Sequence, residues 1–234
     1  MRDEPAARRG HAGPAAANEL HAVLFDMDGL LVDTEPQWFA AETATMAWLG
    51  SEWTEADQHA LLGSNLDFAA DYMVRRAAVV VSPADVAAHL RTAMTEQLRR
   101  DGVAAHDGVL DLIAAVRADG LPIGLVTSSV REHVDVVLGR LGVRFDVVVT
   151  ADDVTRLKPD PQPYQRAMQL LGVAPTACVV LEDSPAGVAA AHAAGCAVVA
   201  VPSVVPIEPG PGRLVLESLA AVDVELLRGL VTRS

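Results

Sequence analysis

Lysine is nearly missing from this sequence. Lys158 is the single lysine among 234 residues, against 17 arginines. Basic side chains of both kinds number 18 against 31 acids, for a formal net charge of −13. A chain this acidic lacks the basic surface that nucleic acid or an anionic membrane requires, so neither is expected as a partner. Any phosphate bound here needs a local cation to overcome the background charge. Aromatic residues make up only 4%, so leucine, valine and alanine must fill the interior. The two cysteines, Cys178 and Cys196, both lie in apolar stretches, and no C-x-x-C spacing exists. They read as small buried hydrophobes of a reduced, cytoplasmic protein. No apolar run approaches the ~20 residues of a membrane span. Residues 1–19 carry arginine but no apolar centre, which reads as a disordered tail rather than a signal peptide.

Half of the sequence is hydrophobic (51%) and 21% is charged, enough apolar material for a sizeable core. Short apolar runs at 21–25, 121–126, 145–149, 177–181 and 197–201 read as buried strands. Between the later ones lie helical patterns at 109–118, 131–141, 163–171 and 185–194. Each pattern stops at a glycine (Gly120, Gly142, Gly172, Gly195), a C-terminal helix signal. Strands alternating with helices imply crossover connections and a mostly parallel, doubly wound α/β sheet. Residues 37–105 break the rhythm. Helical patterns at 38–49, 55–62, 67–78 and 84–100 contain no good strand apart from a candidate at 79–81. The expected organisation is therefore a core domain of residues 20–35 and 106–234, with an all-helical domain inserted at 36–105. Residues 202–213, rich in proline and glycine, read as loop, and 222–231 as a terminal helix.

Chemistry gathers where the strands end. Open parallel sheets bind ligands beyond the carboxyl ends of their strands. The first strand ends in Asp26-Met27-Asp28-Gly29, and residues two apart in an extended segment point the same way. The second ends in Thr127-Ser128-Ser129, hydroxyls and amides leading to a helix start, where an anion can be cradled. The third is followed by the loop that carries Lys158, and the fourth ends in Glu182-Asp183-Ser184-Pro185. Taken singly, each has a plain structural reading: an Asp turn, a serine N-cap, a surface lysine, acids at a helix N-terminus. The ordered set of carboxylates, hydroxyl, lysine and further carboxylates is not what helix capping asks for.

This arrangement resembles the haloacid-dehalogenase-like (HAD) hydrolase superfamily, in its branch with a helical cap inserted after the first motif. The likeness covers roughly residues 20–201 and rests on four ordered motifs. These are the run from Asp26 to Glu35, then Thr127, then Lys158, and Glu182-Asp183 within Leu181-Glu182-Asp183-Ser184-Pro185-Ala186-Gly187. The resemblance implies a Rossmann-like core with a cap domain, and a Mg²⁺-dependent phosphatase working through an aspartyl phosphate. It implies Asp26 as nucleophile, and Asp28 as acid and base. Thr127 and the Ser128 amide would hold the phosphoryl group, with Lys158 as its counter-charge. It implies a metal held by Asp26, Asp183 and the Asp28 carbonyl, with Glu182 helping directly or through water.

Asp28 also discriminates reactions, because dehalogenase and phosphonate-cleaving relatives lack an aspartate there. A β-phosphoglucomutase-type phosphomutase is the alternative. However, that type has histidine where Trp38 stands and a cap arginine near Leu66, for which Arg75 or Arg76 could substitute. A non-catalytic phosphate-binding module on the same fold is a further alternative. The expected partner is a small phosphorylated metabolite, a sugar or sugar-alcohol phosphate, met by a monomer. Glu35, Trp38, Asn65 and Arg75 are the candidate cap residues that touch it.

Overall fold

The computed structural model describes residues 19–62 and 64–231. Except for Glu19, the expected N-terminal tail lies outside them. Six strands form one parallel sheet: β1 (Ala22–Phe25), β2 (Ile123–Val126), β3 (Val147–Val149), β4 (Cys178–Glu182), β5 (Ala197–Ala200) and β6 (Arg213–Val215). Their order across the sheet is β3-β2-β1-β4-β5-β6, and every neighbouring pair is parallel. The central strand is therefore the first in sequence. Its register sets Val23 beside Ile123 on one side and Val179 on the other.

Period-two alternation divides the core between the two faces of the sheet. Val23, Phe25, Ile123, Leu125, Val179 and Leu181 face one way. They meet Val109, Leu112, Ile113 and Val116 of α5 (Val109–Ala118), Val134 and Val137 of α6 (Arg131–Leu141), and Leu227 and Val231 of α9 (Val224–Val231). Ala22, Leu24, Val126, Val149, Val180 and Val198 face the other way. There they meet Tyr164, Ala167 and Met168 of α7 (Gln162–Leu171) and Val188, Ala190 and Ala191 of α8 (Pro185–Ala193). Cys178 and Cys196 are free thiols buried in this second layer. Each fully buried Leu, Val or Phe contributes roughly 1.5–3 kcal/mol relative to exposure.

Four helices separate β1 from α5: α1 (Glu35–Trp48), α2 (Glu55–Leu61), α3 (Leu66–Arg76) and α4 (Pro83–Asp101). They pack around Ala41, Met46, Leu49, Trp53, Leu61, Met73, Leu90 and Met94, all buried and continuous with the cluster on the first face of the sheet. Local chemistry sets their starts. Thr54 and Asp57 form a reciprocal capping box at α2, Asn65 caps α3, and Ser82 caps α4.

Three sequence readings are corrected. Residues 79–81 form no strand; Val79 and Val80 lie exposed in the loop between α3 and α4, with no sheet beside them to pair with. The segment read as loop through residue 213 ends in a strand, since Arg213 already pairs with Val198 at the sheet edge. The terminal helix begins at Val224 rather than 222. Among the described residues no helix is long and apolar enough to cross a membrane.

Candidate active site

The carboxyl ends of β1, β2 and β4, with the loops after β3 and β5, meet over one cavity of about 590 Å³ roofed by the inserted helices. Asp26 follows β1 directly, its N–H donating to the Leu181 carbonyl at 3.0 Å, and only 6% of it is exposed. The chain then turns tightly: Leu31 and Val32 N–H groups return to the Met27 carbonyl, and Gly29 N–H donates to Val32. Gly29 has φ +85°, and a Cβ there would lie 2.0 Å from Asp183 Oδ2. Only glycine lets this turn come so close to the tip of β4.

Asp28 is half-buried, and its carboxylate accepts three hydroxyl hydrogen bonds. They come from Thr34 (2.8 Å), Thr127 (3.2 Å) and Ser129 (2.8 Å). Thr127 Oγ1 in turn accepts the Ser129 N–H at 3.0 Å. Beside it, Ser128 lines the cavity.

Lys158 reaches in from the loop after β3 with 6% of its side chain exposed. Its Nζ donates to Asp26 Oδ1, to the Val126 carbonyl at 2.9 Å and to Glu182 Oε1 at 2.6 Å. Burial alone would lower its pKa, but the Asp26 and Glu182 carboxylates more than reverse this, so the ammonium stays charged. Glu182 is fully buried. Its Oε1 also accepts the Tyr164 hydroxyl at 2.6 Å, and its Oε2 accepts the N–H groups of Asp183 and Ser184 and the Ser184 hydroxyl. Both oxygens of Glu182 are thus engaged by protein donors.

Asp183 is 6% exposed; Oδ2 accepts the Ser203 hydroxyl, and Oδ1 is buried without a partner. Desolvation, and then the neighbouring Glu182, push its pKa up to about 7. Desolvation also raises Asp26 well above the ordinary carboxylate range, against the pull of Lys158. Oxygens of Asp26, Glu182 and Asp183 lie within 4.8 Å of one another. Three clustered carboxylates answered by one lysine leave negative charge uncompensated, and one buried oxygen has no donor. That hard-oxygen donor set fits a divalent cation such as Mg²⁺.

The inserted helices supply the opposite wall. Glu35, Trp38 and Glu42 of α1, Gln58 of α2, and Asn65, Leu66 and Phe68 around the start of α3 line it. Gln58 Nε2 donates to the carbonyl and carboxylate of Glu35, both at 3.4 Å. Asn65 Oδ1 is engaged in capping α3 through the Phe68 N–H. His133 of α6, also in the wall, meets the Trp38 ring edge-on at 5.8 Å and the Arg91 carbonyl through Nε2 at 3.1 Å. Burial lowers its pKa, and its Nδ1 has no partner.

Of the four expected cap contacts, Glu35, Trp38 and Asn65 line the cavity. Arg75 does not: it is exposed on α3 with its guanidinium 5.8 Å from the Tyr72 ring centre. Arg76 is likewise turned away, paired with Asp57 at 3.1 Å. Among the described lining residues Lys158 is the only lysine or arginine. Sequence reasoning gave no role to Thr34, Tyr164, Ser203, Glu42 and His133, and named Ser129 only as part of an anion cradle. Thr34 and Ser129 stood within the motifs, and Glu42 stands one turn beyond Trp38 on the same helix face. Tyr164 and Ser203 left no local signal.

Residues 23–201 match the family model described as haloacid dehalogenase-like hydrolase. Protein CbbY of Rhodobacter capsulatus is 35% identical over 198 residues, 79% of this chain and 86% of the relative. Hexitol phosphatase A of Escherichia coli K12 is 37% identical over 188 residues, 76% and 81% of the two chains. A crystal structure of CbbY from Rhodobacter sphaeroides in complex with phosphate superposes with a TM-score of 0.80 at 28% identity, covering 89% of this chain and 99% of the other.

Proposed function

The chain belongs to the haloacid dehalogenase-like hydrolases and is a phosphatase, and from that premise we propose that it hydrolyses a small sugar or sugar-alcohol phosphomonoester through an aspartyl phosphate on Asp26. The observation that carries this reading is the division of labour between two acids two residues apart. Asp26 is buried against the ammonium of Lys158, and Asp28 stands at the cavity wall among three hydroxyls. Environments this different suit one carboxylate to nucleophilic attack and the other to proton transfer.

An Asp26 oxygen attacks phosphorus, and the bond from phosphorus to the ester oxygen breaks. Asp28 gives its proton to the departing alkoxide. In the second step Asp28 takes a proton from water as the water oxygen bonds to phosphorus, and the Asp26 carboxylate is released with inorganic phosphate. Thr127 and the Ser128 N–H orient the phosphoryl oxygens, and Lys158 offsets their charge. Asp26, Asp183 and the Asp28 carbonyl would hold Mg²⁺; the unpartnered Asp183 Oδ1 supports this assignment. Bound there, the ion supplies charge neutralisation at the phosphoryl oxygens. With both its oxygens engaged, Glu182 serves as the anchor of Lys158 and the rear wall of the site. The inserted helices act as a cap that shields the reaction from water.

The mutase alternative asks for a second cationic phosphate grip, and the described cavity wall offers none. The non-catalytic alternative is disfavoured by the intact set of both acids and the lysine. The test is phosphate release from p-nitrophenyl phosphate with and without Mg²⁺, for the native chain and Asp26→Asn. Mg²⁺-dependent release that Asp26→Asn abolishes while its melting curve remains cooperative is the expected result. Turnover by Asp26→Asn at the native rate would end the covalent reading.

A further inference from the structure

On one face of α1 stand Glu35, Trp38 and Glu42, spaced three and four residues apart, and all three line the cavity. Glu42 is 5% exposed, deeper than either neighbour, and pairs with no cation among the described residues. Its Oε2 accepts the Trp53 indole N–H at 3.1 Å. Trp53 is held edge-on by Tyr72, whose hydroxyl donates to Asp57 at 2.9 Å. The carboxyl is therefore fixed in place by a braced tryptophan. A buried acid without a cation is costly, and an apolar side chain would fill the position more favourably if packing were its only role. Asp57, buried in the same group of helices, shows the structural pattern by contrast: it is satisfied by Thr54, Tyr72 and Arg76. Burial raises the Glu42 pKa to about 8, so near neutrality its carboxyl can both give and accept a hydrogen bond.

We infer that Glu42 is a specificity-determining residue that reads hydroxyl groups of the leaving group, and that the Glu35–Trp38–Glu42 face selects uncharged polyhydroxylated alcohols over leaving groups bearing a second anion. The chemistry follows from the residue types. An indole face covers the C–H surface of a polyol or sugar, and carboxyls beside it take its O–H groups. A second phosphate would instead be desolvated against this face with no cation to pair with it. This inference rests on the phosphatase reading above and assigns its alcohol side.

The test measures kcat/KM of the Mg²⁺-loaded full chain for three pairs of measurements. The first compares glucitol 6-phosphate with p-nitrophenyl phosphate, the second glucose 1-phosphate with glucose 1,6-bisphosphate, and the third repeats the first with Glu42→Gln. Glutamine keeps the shape and the acceptor for Trp53. In the native chain the bisphosphate should be poorer by about 100-fold, as expected for a second anion taken out of water with no cation to pair with it. In Glu42→Gln the glucitol-to-aryl ratio should fall by about tenfold, the scale of one lost hydrogen bond, and the loss should sit in KM. Trp53→Phe, which removes the brace and keeps the carboxyl, should move the ratio in the same direction and stands in if Glu42→Gln does not fold. An unchanged ratio with active turnover of glucitol 6-phosphate overturns the role of Glu42 and leaves the phosphatase intact. A bisphosphate cleaved as well as its monophosphate overturns the charge selection. No release from the aryl ester overturns the phosphatase reading and this inference with it.

Discussion

The surroundings of Asp28 suit the two proton transfers proposed for it. Hydroxyls of Thr34, Thr127 and Ser129 hold its carboxylate in place, and a hydroxyl can rotate between donor and acceptor. Asp28→Asn keeps the shape and the backbone carbonyl but removes the titratable proton. Its turnover of alkyl phosphates should fall by roughly 10²–10⁴, the usual scale of general acid–base catalysis. With p-nitrophenyl phosphate the first step should suffer less, because the leaving group hardly needs protonation, so a burst of nitrophenol should precede slow turnover. Stopped-flow absorbance at the nitrophenolate band reads both phases; equal slowing for both leaving groups without a burst would count against this role. Glu42 makes a separate prediction through its titration. Its pKa rises from 4.5 to about 8 on folding, chiefly by desolvation. Between those values the folded chain holds a proton that the unfolded chain has lost, so stability declines as pH rises through that window. Glu42→Gln removes this contribution. Its melting temperature should fall less between pH 5 and pH 8 than that of the native chain, as calorimetry at matched ionic strength would record.

At the level of elements, the closest fit is between β4 and the first turn of α8. Replacing Gly187 by alanine gains about 1 kcal/mol of helix propensity. The added Cβ, however, would lie 1.7 Å from Glu182 Oε1, a contact that cannot form, so the steric loss outweighs the gain. Glu182 must then shift, taking the anchor of Lys158 with it. Gly187→Ala should melt several degrees lower and lose phosphatase activity together; a variant as stable and active as the native chain would show that the Glu182 position has slack. The same elements show what the sequence revealed. Five strands were legible because each is a short apolar run bounded by turn residues, and the catalytic candidates were legible because each follows such a run. β6 was not, since its three residues emerge from a Pro- and Gly-rich stretch and gain strand structure only by pairing with β5. Residues 79–81 misled for the converse reason: β-branched side chains favour a strand only where a neighbour exists. Tyr164 and Ser203 acquire their roles from chain segments that meet only after folding, and no spacing rule reaches them.

For the molecule as a whole, the net charge of −13 acts on any phosphorylated substrate before it reaches the cavity. Local cations decide binding at short range, but the long-range field repels. Raising ionic strength from about 0.02 to about 0.2 M at saturating Mg²⁺ shortens the screening length from roughly 20 to 7 Å. KM for a phosphomonoester should therefore fall, by about twofold, where a basic enzyme would show a rise. Initial rates across a salt series decide it, and a rise in KM with salt would show that attraction dominates at long range as well. The strand order β3-β2-β1-β4-β5-β6 carries a last consequence, for synthesis on the ribosome. The central strand is the first one made, yet its partners at Ile123 and Val179 emerge only after the four inserted helices have been translated. Those helices can begin to associate from contacts near in sequence, whereas Val23 and Phe25 must stay solvated or shielded until the rest of the sheet arrives. The strand that leads into Asp26 is begun first and enclosed late, so a nascent chain completes its roof before the floor beneath it.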